Sequence, residues 1–242
     1  MPLSNSADLD CLACEGASKN IAPSNPLAGD SSTQNNLPHR VVLASASPRR
    51  VKILQDLGLD FKVFSSDVDE TLDADLMANP DQAAKKLAER KAMAAVQRLV
   101  DQDFLGTMIV IAADTMVVCG QEILGKPANQ DCAYDYLKKL SNKTHQVITG
   151  VSVWVVADSG NNDFGLSFRS FAETSFVTFK DLSEDDIYEY LAYGEYADKA
   201  GAYAIQGQGK TLVKSVQGCM DNIIGLPSKR LVKEFGSLLG LS

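Results

Sequence analysis

The sequence predicts an α/β domain that begins at Pro38 and fills the rest of a 242-residue chain. Three observations carry this. Short apolar, β-branched runs alternate with stretches whose apolar residues recur at helical spacing. Proline and capping signals sit where those helices should start. Two long β-branched segments in the second half are separated by Gly- and Asn-rich residues, as in a hairpin.

Val41 to Ala44 reads as a buried strand that stops at Ser45 and Ser47. Pro48 then suits the first turn of a helix, where its missing N–H is not needed. Val51, Leu54 and Leu57 follow near helical spacing, and Gly58 ends the run. Asp60 to Ser65 alternates weakly, as a short strand would. Asn79-Pro80 opens a helix with Ala83, Leu87, Lys91 and Ala94 along one face. Thr107 to Val118 is a strong strand, interrupted by Asp114. Asp131 to Leu140 is a helix. Gln146 to Val156 and Arg169 to Phe179 are long strands, with residues 157–168 between them. Ser183, three residues before Asp186 and just ahead of an Ile187/Tyr190/Leu191 stripe, marks a capped helix start. Leu212 to Val216 reads as strand and Pro227 to Leu239 as the last helix.

Residues 1–37 differ from the rest. They are rich in Ser, Asn, Ala, Asp and Pro, and read as a flexible N-terminal extension ahead of a domain over residues 38–242. The net charge of −8 argues against general binding to nucleic-acid polymers. No apolar run is long enough to span a bilayer. Five cysteines at irregular spacing suggest reduced thiols and a cytoplasmic setting. Cys11 and Cys14 lack the second ligand pair that a zinc site needs.

The chemistry concentrates in a few places. Ser45, Ser47, Arg49 and Arg50 crowd a strand-to-helix junction, where backbone N–H groups and the helix dipole already favour anions. Two guanidiniums make this a candidate phosphate site, against the plainer reading of a capped helix with solvated arginines. Asp114 is a carboxylate straight after a near-continuous apolar strand, costly to bury unless paired or bound to a metal. Strand ends are where ligands sit in open α/β sheets. Asp67, Asp69 and Glu70 offer oxygen ligands to a divalent cation; the alternative is a solvated acidic loop. Asp67-Val68-Asp69-Glu70-Thr71 also matches the D-x-D-x-T nucleophile motif of haloacid-dehalogenase-type phosphatases, but it lacks the apolar strand that precedes that motif. Lys91 and Lys126 are candidate anion partners. Gly207-Gln208-Gly209-Lys210-Thr211 is not a P-loop, since Ala204 stands where a glycine is required. Beside it, Gln206 carries both a donor and an acceptor, suited to reading the edge of a base.

Taken together, these segments resemble the Maf family, the septum-formation inhibitor proteins, which are nucleoside triphosphate pyrophosphatases. The matching pieces are Leu43-Ala44-Ser45-Ala46-Ser47-Pro48-Arg49-Arg50, Asp69-Glu70, Glu89-Arg90-Lys91-Ala92, Ala113-Asp114-Thr115, Gly125-Lys126-Pro127, Thr149-Gly150-Val151, the run Asp198 to Gly207, and Ile223-Ile224-Gly225-Leu226-Pro227. They occur in family order from about residue 39 to the C-terminus. The resemblance implies an elongated mixed sheet flanked by helices, with a cleft between two lobes, similar to inosine triphosphatase-like folds. It implies hydrolysis of a nucleoside triphosphate between the α- and β-phosphates with Mg²⁺ or Mn²⁺, and a possible homodimer. Arg49, Thr115 and Gln206 resemble the branch acting on dTTP and UTP. On this reading Ser45, Arg49, Arg50, Lys91 and Lys126 bind the phosphates, and Glu70 and Asp114 hold the metal. Asp114 is also the general base, while Thr115, Gln206 and Arg49 set specificity. Two other readings are a nucleotide-binding regulator of cell division that needs no turnover, and the phosphatase acting through Asp67. The extension at 1–37 and the long stretch 157–168 depart from the compact family pattern.

Overall fold

The computed structural model describes residues 40–65, 68–101, 106–160 and 163–241. In chain order its elements are β1 (Arg40–Leu43), α1 (Pro48–Asp56), β2 (Lys62–Val63), α2 (Ala74–Met77), α3 (Pro80–Val100), β3 (Thr107–Cys119), β4 (Glu122–Leu124), α4 (Gln130–Leu140), β5 (Thr144–Gly160), β6 (Asp163–Phe179), α5 (Glu184–Ala192), two 3-10 turns (Ala200–Ala202 and Gly207–Leu212), β7 (Val213–Gln217), α6 (Met220–Ile224) and α7 (Ser228–Leu239). The sequence signals for α3 and α5 act as read. Asn79 accepts from the backbone N–H of Gln82, and Ser183 and Asp186 form a reciprocal capping box.

The strands form one mixed sheet in the order β2-β1-β3-β5-β6-β7, with β4 also paired to β3. β1 runs parallel to β2 and β3, and the remaining pairings are antiparallel. The feature that makes the site is a gap along one edge of β3. On its far side, β5 pairs with β3 from Thr107 to Val118 without a break. On its near side, β1 covers Met108 to Ile111, and β4 begins only at Val117. Residues 112–116 therefore face an opening between two covered stretches.

Side-chain alternation makes each face of that opening different. On one face, β3 presents Ile109, Ile111, Ala113, Thr115 and Val117, and β5 presents Val147, Thr149, Val151 and Val153. Ile109, Ile111, Ala113, Val151 and Val153 join a core with Leu43, Leu54, Leu231 and Phe235. Val117 and Val147 join a separate core with Leu124, Leu137, Phe179, Tyr190 and Tyr203. These two cores are the lobes. Thr115 and Thr149, directly opposite each other in the ladder, are the polar break between them. On the other face, Met108, Val110 and Ala112 pack under α3 in one cluster, and Met116 and Val118 in another. Asp114 lies between these two clusters. Its ladder partner is Gly150, where a Cβ would stand 2.2 Å from the Ala84 carbonyl carbon. Only glycine lets α3 approach the sheet this closely.

Two expectations need correction. Asp114 does not end its strand: β3 runs through it to Cys119, because β5 supplies backbone partners throughout. The opening comes from the neighbouring strands stopping short. The Gly- and Asn-rich stretch 157–168 is mostly not loop either, since β5 extends to Gly160 and β6 resumes at Asp163. Phe164, Leu166 and Phe168 recur at every second position, and Phe168 stacks on Trp154 with centroids 4.4 Å apart. That cross-strand apolar row outweighs the turn-forming residues beside it.

His145 is a buried titratable group outside the opening. Its Nε2 is 2.8 Å from the Tyr203 hydroxyl, and its ring meets Phe179 edge-on. Burial pushes its pKa down to about 4. Above the ordinary histidine value near 6.5 both folded and unfolded states are neutral here. As pH falls from about 6.5 to 4 the unfolded chain gains a proton that the folded one refuses, so stability should drop by up to about 3 kcal/mol. Urea unfolding between pH 7 and pH 4.5 checks this. The slope should flatten in His145→Leu, and an unchanged slope would refute it.

Candidate active site

The opening beside residues 112–116 is a cleft of about 730 Å³. Five cations, Arg49, Arg50, Lys91, Lys126 and Lys199, and three carboxylates, Glu70, Asp114 and Asp198, line it. A chain of net charge −8 thus places an excess of positive charge in this cleft.

The β1–α1 junction supplies one wall. Ser45 is buried, and its Oγ accepts from Arg50 Nη1 at 3.0 Å and from the Ser47 backbone N–H at 3.3 Å. Ser47 occupies the N-cap position, but its side chain makes no capping bond. Arg50 reaches across the opening. Its Nε donates to the Gly225 carbonyl at 2.8 Å and its Nη2 to Thr115 Oγ1 at 3.1 Å. Three of the five guanidinium N–H donors are used on these acceptors, and the other two have no partner among the described residues. Burial lowers the Arg50 pKa, opposed by Asp114 and Glu70, while Arg49 adds repulsion. Arg49 is likewise lowered by burial, with Asp198 and Tyr190 working the other way.

The opposite wall comes from α3 and the segment before it. Lys91 Nζ bonds Asp114 Oδ1 and lies 2.8 Å from Glu70 Oε1. One ammonium therefore draws together two carboxylates from separate parts of the chain. Lys126 adds a longer contact to Glu70 at 3.8 Å. Burial disfavours the charged form of Glu70, but Lys91 and then Lys126 and Arg50 outweigh it, and its pKa is lowered. Arg90 holds this segment on α3 by donating to the carbonyls of Asp69 at 3.2 Å and Thr71 at 2.6 Å.

Ser45, Arg49, Arg50, Glu70, Lys91, Asp114, Thr115 and Lys126 thus all line one cavity. Gln206 is not among its lining residues: it is exposed and precedes the second 3-10 turn. Asp67, Cys11 and Cys14 lie outside the described residues. Sequence reasoning gave no role to Asp198, Lys199, Arg90, Thr149 or Gly225. All five fall inside the motifs quoted above, which was the available signal.

The fit of a divalent cation can be judged from the donors. Glu70 and Asp114 are hard oxygen ligands already converging on one positive group. Among the described residues no cluster of three or more His, Cys, Asp or Glu side chains could hold a metal by itself. Two carboxylates suit a Mg²⁺-type ion whose remaining ligands are water and substrate phosphate.

The family profile described as Maf-like protein matches residues 40–238. The chain belongs to the Maf family. A Maf relative from Caldicellulosiruptor saccharolyticus, named dTTP/UTP pyrophosphatase, is 42% identical over 192 residues, 79% of this chain and 91% of its own. A protein of the same name from Desulforamulus reducens is 42% identical over 79% of this chain and 92% of its own. A Homo sapiens protein, named probable bifunctional dTTP/UTP pyrophosphatase/methyltransferase, is 41% identical over 82% of this chain and 32% of its own length. The solved Staphylococcus aureus Ham1 protein gives a TM-score of 0.35 at 18% identity, over 59% of this chain and 72% of that one. That likeness is too low to define the Maf fold, which rests on the strand order above. Among the described residues no helix of this Maf chain is long and apolar enough to cross a membrane.

Proposed function

We propose that this chain hydrolyses the anhydride between the α- and β-phosphates of dTTP or UTP, releasing the nucleoside monophosphate and pyrophosphate. The observation that carries the reading is the Lys91 contact to both Asp114 and Glu70, set against the Arg49 and Arg50 wall in one cleft. The names of the Maf relatives support the substrate class.

Arg50 orients the phosphate chain with its two remaining N–H donors. Its other three are fixed by Ser45, Thr115 and Gly225, so little reorganisation is needed on binding. Arg49 and Lys126 add charge that stabilises the departing pyrophosphate. Asp114 takes a proton from the attacking water. The water oxygen forms a bond to phosphorus, the bridging P–O bond breaks, and its electrons leave with the pyrophosphate. Lys91 holds the Asp114 carboxylate on the cleft side of β3. Glu70 and Asp114 would hold Mg²⁺ or Mn²⁺, which when bound neutralises phosphate charge. Thr115 and Gln206 are read as base contacts, with Arg49 contributing to substrate choice. For Gln206 this requires the turn before Gly207 to move toward the cleft. The setting is cytoplasmic, and a homodimer is compatible with the reading.

A panel of pyrimidine and purine triphosphates with Mg²⁺ tests this. Turnover of dTTP and UTP ahead of ATP and GTP is expected. Tight binding of a triphosphate without turnover of any would overturn the reading in favour of a nucleotide-binding regulator.

A further inference from the structure

We infer that Thr149, a fully buried threonine one strand behind the cleft, is a positioning residue for Arg50. The inference rests on Arg50 as a phosphate ligand, the reading given above. Thr149 does not line the cleft, and its side chain is 0% exposed. Its role follows from counting hydroxyl protons.

The Thr149 hydroxyl donates to the Asn222 backbone carbonyl at 2.9 Å. A threonine hydroxyl has one proton, and a carbonyl can only accept. The contact between Thr149 Oγ1 and Thr115 Oγ1, at 3.0 Å, must therefore be a donation from Thr115. Thr115 in turn accepts from Arg50 Nη2 at 3.1 Å, and a guanidinium can only donate. The chain runs one way, from Arg50 through Thr115 and Thr149 to Asn222. A donor-only group at one end and an acceptor-only group at the other forbid the reverse. Each bond polarises the next in the same sense.

Two of the three acceptors that hold Arg50 depend on this one buried hydroxyl. The first is Thr115, whose lone pair faces Arg50 because its proton is committed to Thr149. The second is the Gly225 carbonyl. Thr149 grips α6 at Asn222, and Gly225 is the residue that ends α6. Gly225 has φ +132, a conformation that side chains disfavour, so its carbonyl direction is set by a backbone glycine allows. The Asn222 side chain secures the same helix from behind, donating to the Val147 carbonyl and to Ser175 Oγ, both at 3.0 Å.

The test is a double-mutant cycle read as calorimetric affinity for tripolyphosphate in Mg²⁺, which needs no turnover. Thr149→Val keeps the shape and removes the hydroxyl. It should weaken binding about tenfold when Arg50 is present, the size of one hydrogen bond to a charged group. In an Arg50→Lys background, whose ammonium does not need the three-acceptor cradle, the same change should cost under about twofold, because coupled residues do not add. Thr149→Ser should recover most of the loss. Equal weakening in both backgrounds, or a Ser variant as weak as Val, would overturn the inference. So would wild-type protein that does not bind tripolyphosphate. Should the Val variant fail to fold, Thr149→Cys, with a weak S–H donor, enters the same cycle under the same criteria. A protein that passes this cycle but turns over no nucleotide retains the relay and loses the proposed activity.

Discussion

Replacing Asp114 by Asn should lower kcat by about a hundredfold to ten-thousandfold, the usual worth of a positioned general base. Triphosphate affinity measured without divalent cation should hold. Asn fills the same volume on β3, between the two apolar clusters that pack under α3, so the ladder to Gly150 is undisturbed. The change also removes a negative charge beside the phosphate-binding cations, so in the absence of the divalent cation, of which Asp114 is a proposed ligand, nothing in it weakens attraction for an anion. Lys91 keeps Glu70 as its partner. Steady-state kinetics with UTP and Mg²⁺, together with calorimetry on a non-hydrolysable analogue in EDTA, separates the two effects. A parallel fall in kcat and affinity would make Asp114 a structural partner of Lys91 rather than the base.

Replacing Arg50 by Gln should have a different signature, with kcat/KM, binding and stability all affected. Glutamine has neither the charge nor the three-way reach of the guanidinium. Ser45 Oγ, Thr115 Oγ1 and the Gly225 carbonyl each lose a charged donor. A loss of about a hundredfold to a thousandfold in kcat/KM is expected for removing a preorganised donor to a charged transition state. Stability should fall by about 1–3 kcal/mol from the unpaired groups left behind. Arg50→Lys should restore part of the affinity through charge but little of the stability, because an ammonium cannot copy the planar fork. A Gln variant with wild-type kinetics would place the phosphate wall elsewhere in the cleft.

Much of this site could be read from the sequence, for local physical reasons. Pro48 and the two serines marked the strand-to-helix junction within one short segment. Asp114 stood out because a carboxylate on an apolar strand needs a partner. Lys91 stands out because it sits on the apolar side of its helix, and it is that partner. What could not be read depends on which strands stop where. Alternation along β3 shows which way each side chain faces. It does not reveal that β1 ends at Ile111's level while β4 starts at Val117, and that gap is the cleft. The partners of Arg50 were hidden for a similar reason, since Gly225 is 175 residues away. Thr149 looked like any strand threonine until Thr115 was placed opposite it. The hairpin itself is legible, but the length of its strands is not, because Gly and Asn signal a turn locally, whereas the Phe164/Leu166/Phe168 row acts only once β5 lies beside it.

The most direct test of the whole account is the identity of the products. Phosphorus NMR of UTP incubated with the protein and Mg²⁺ should show UMP and pyrophosphate appearing together, with no orthophosphate beyond the blank. UDP with orthophosphate, or unchanged UTP at saturating protein, would contradict cleavage between the α- and β-phosphates in this cleft.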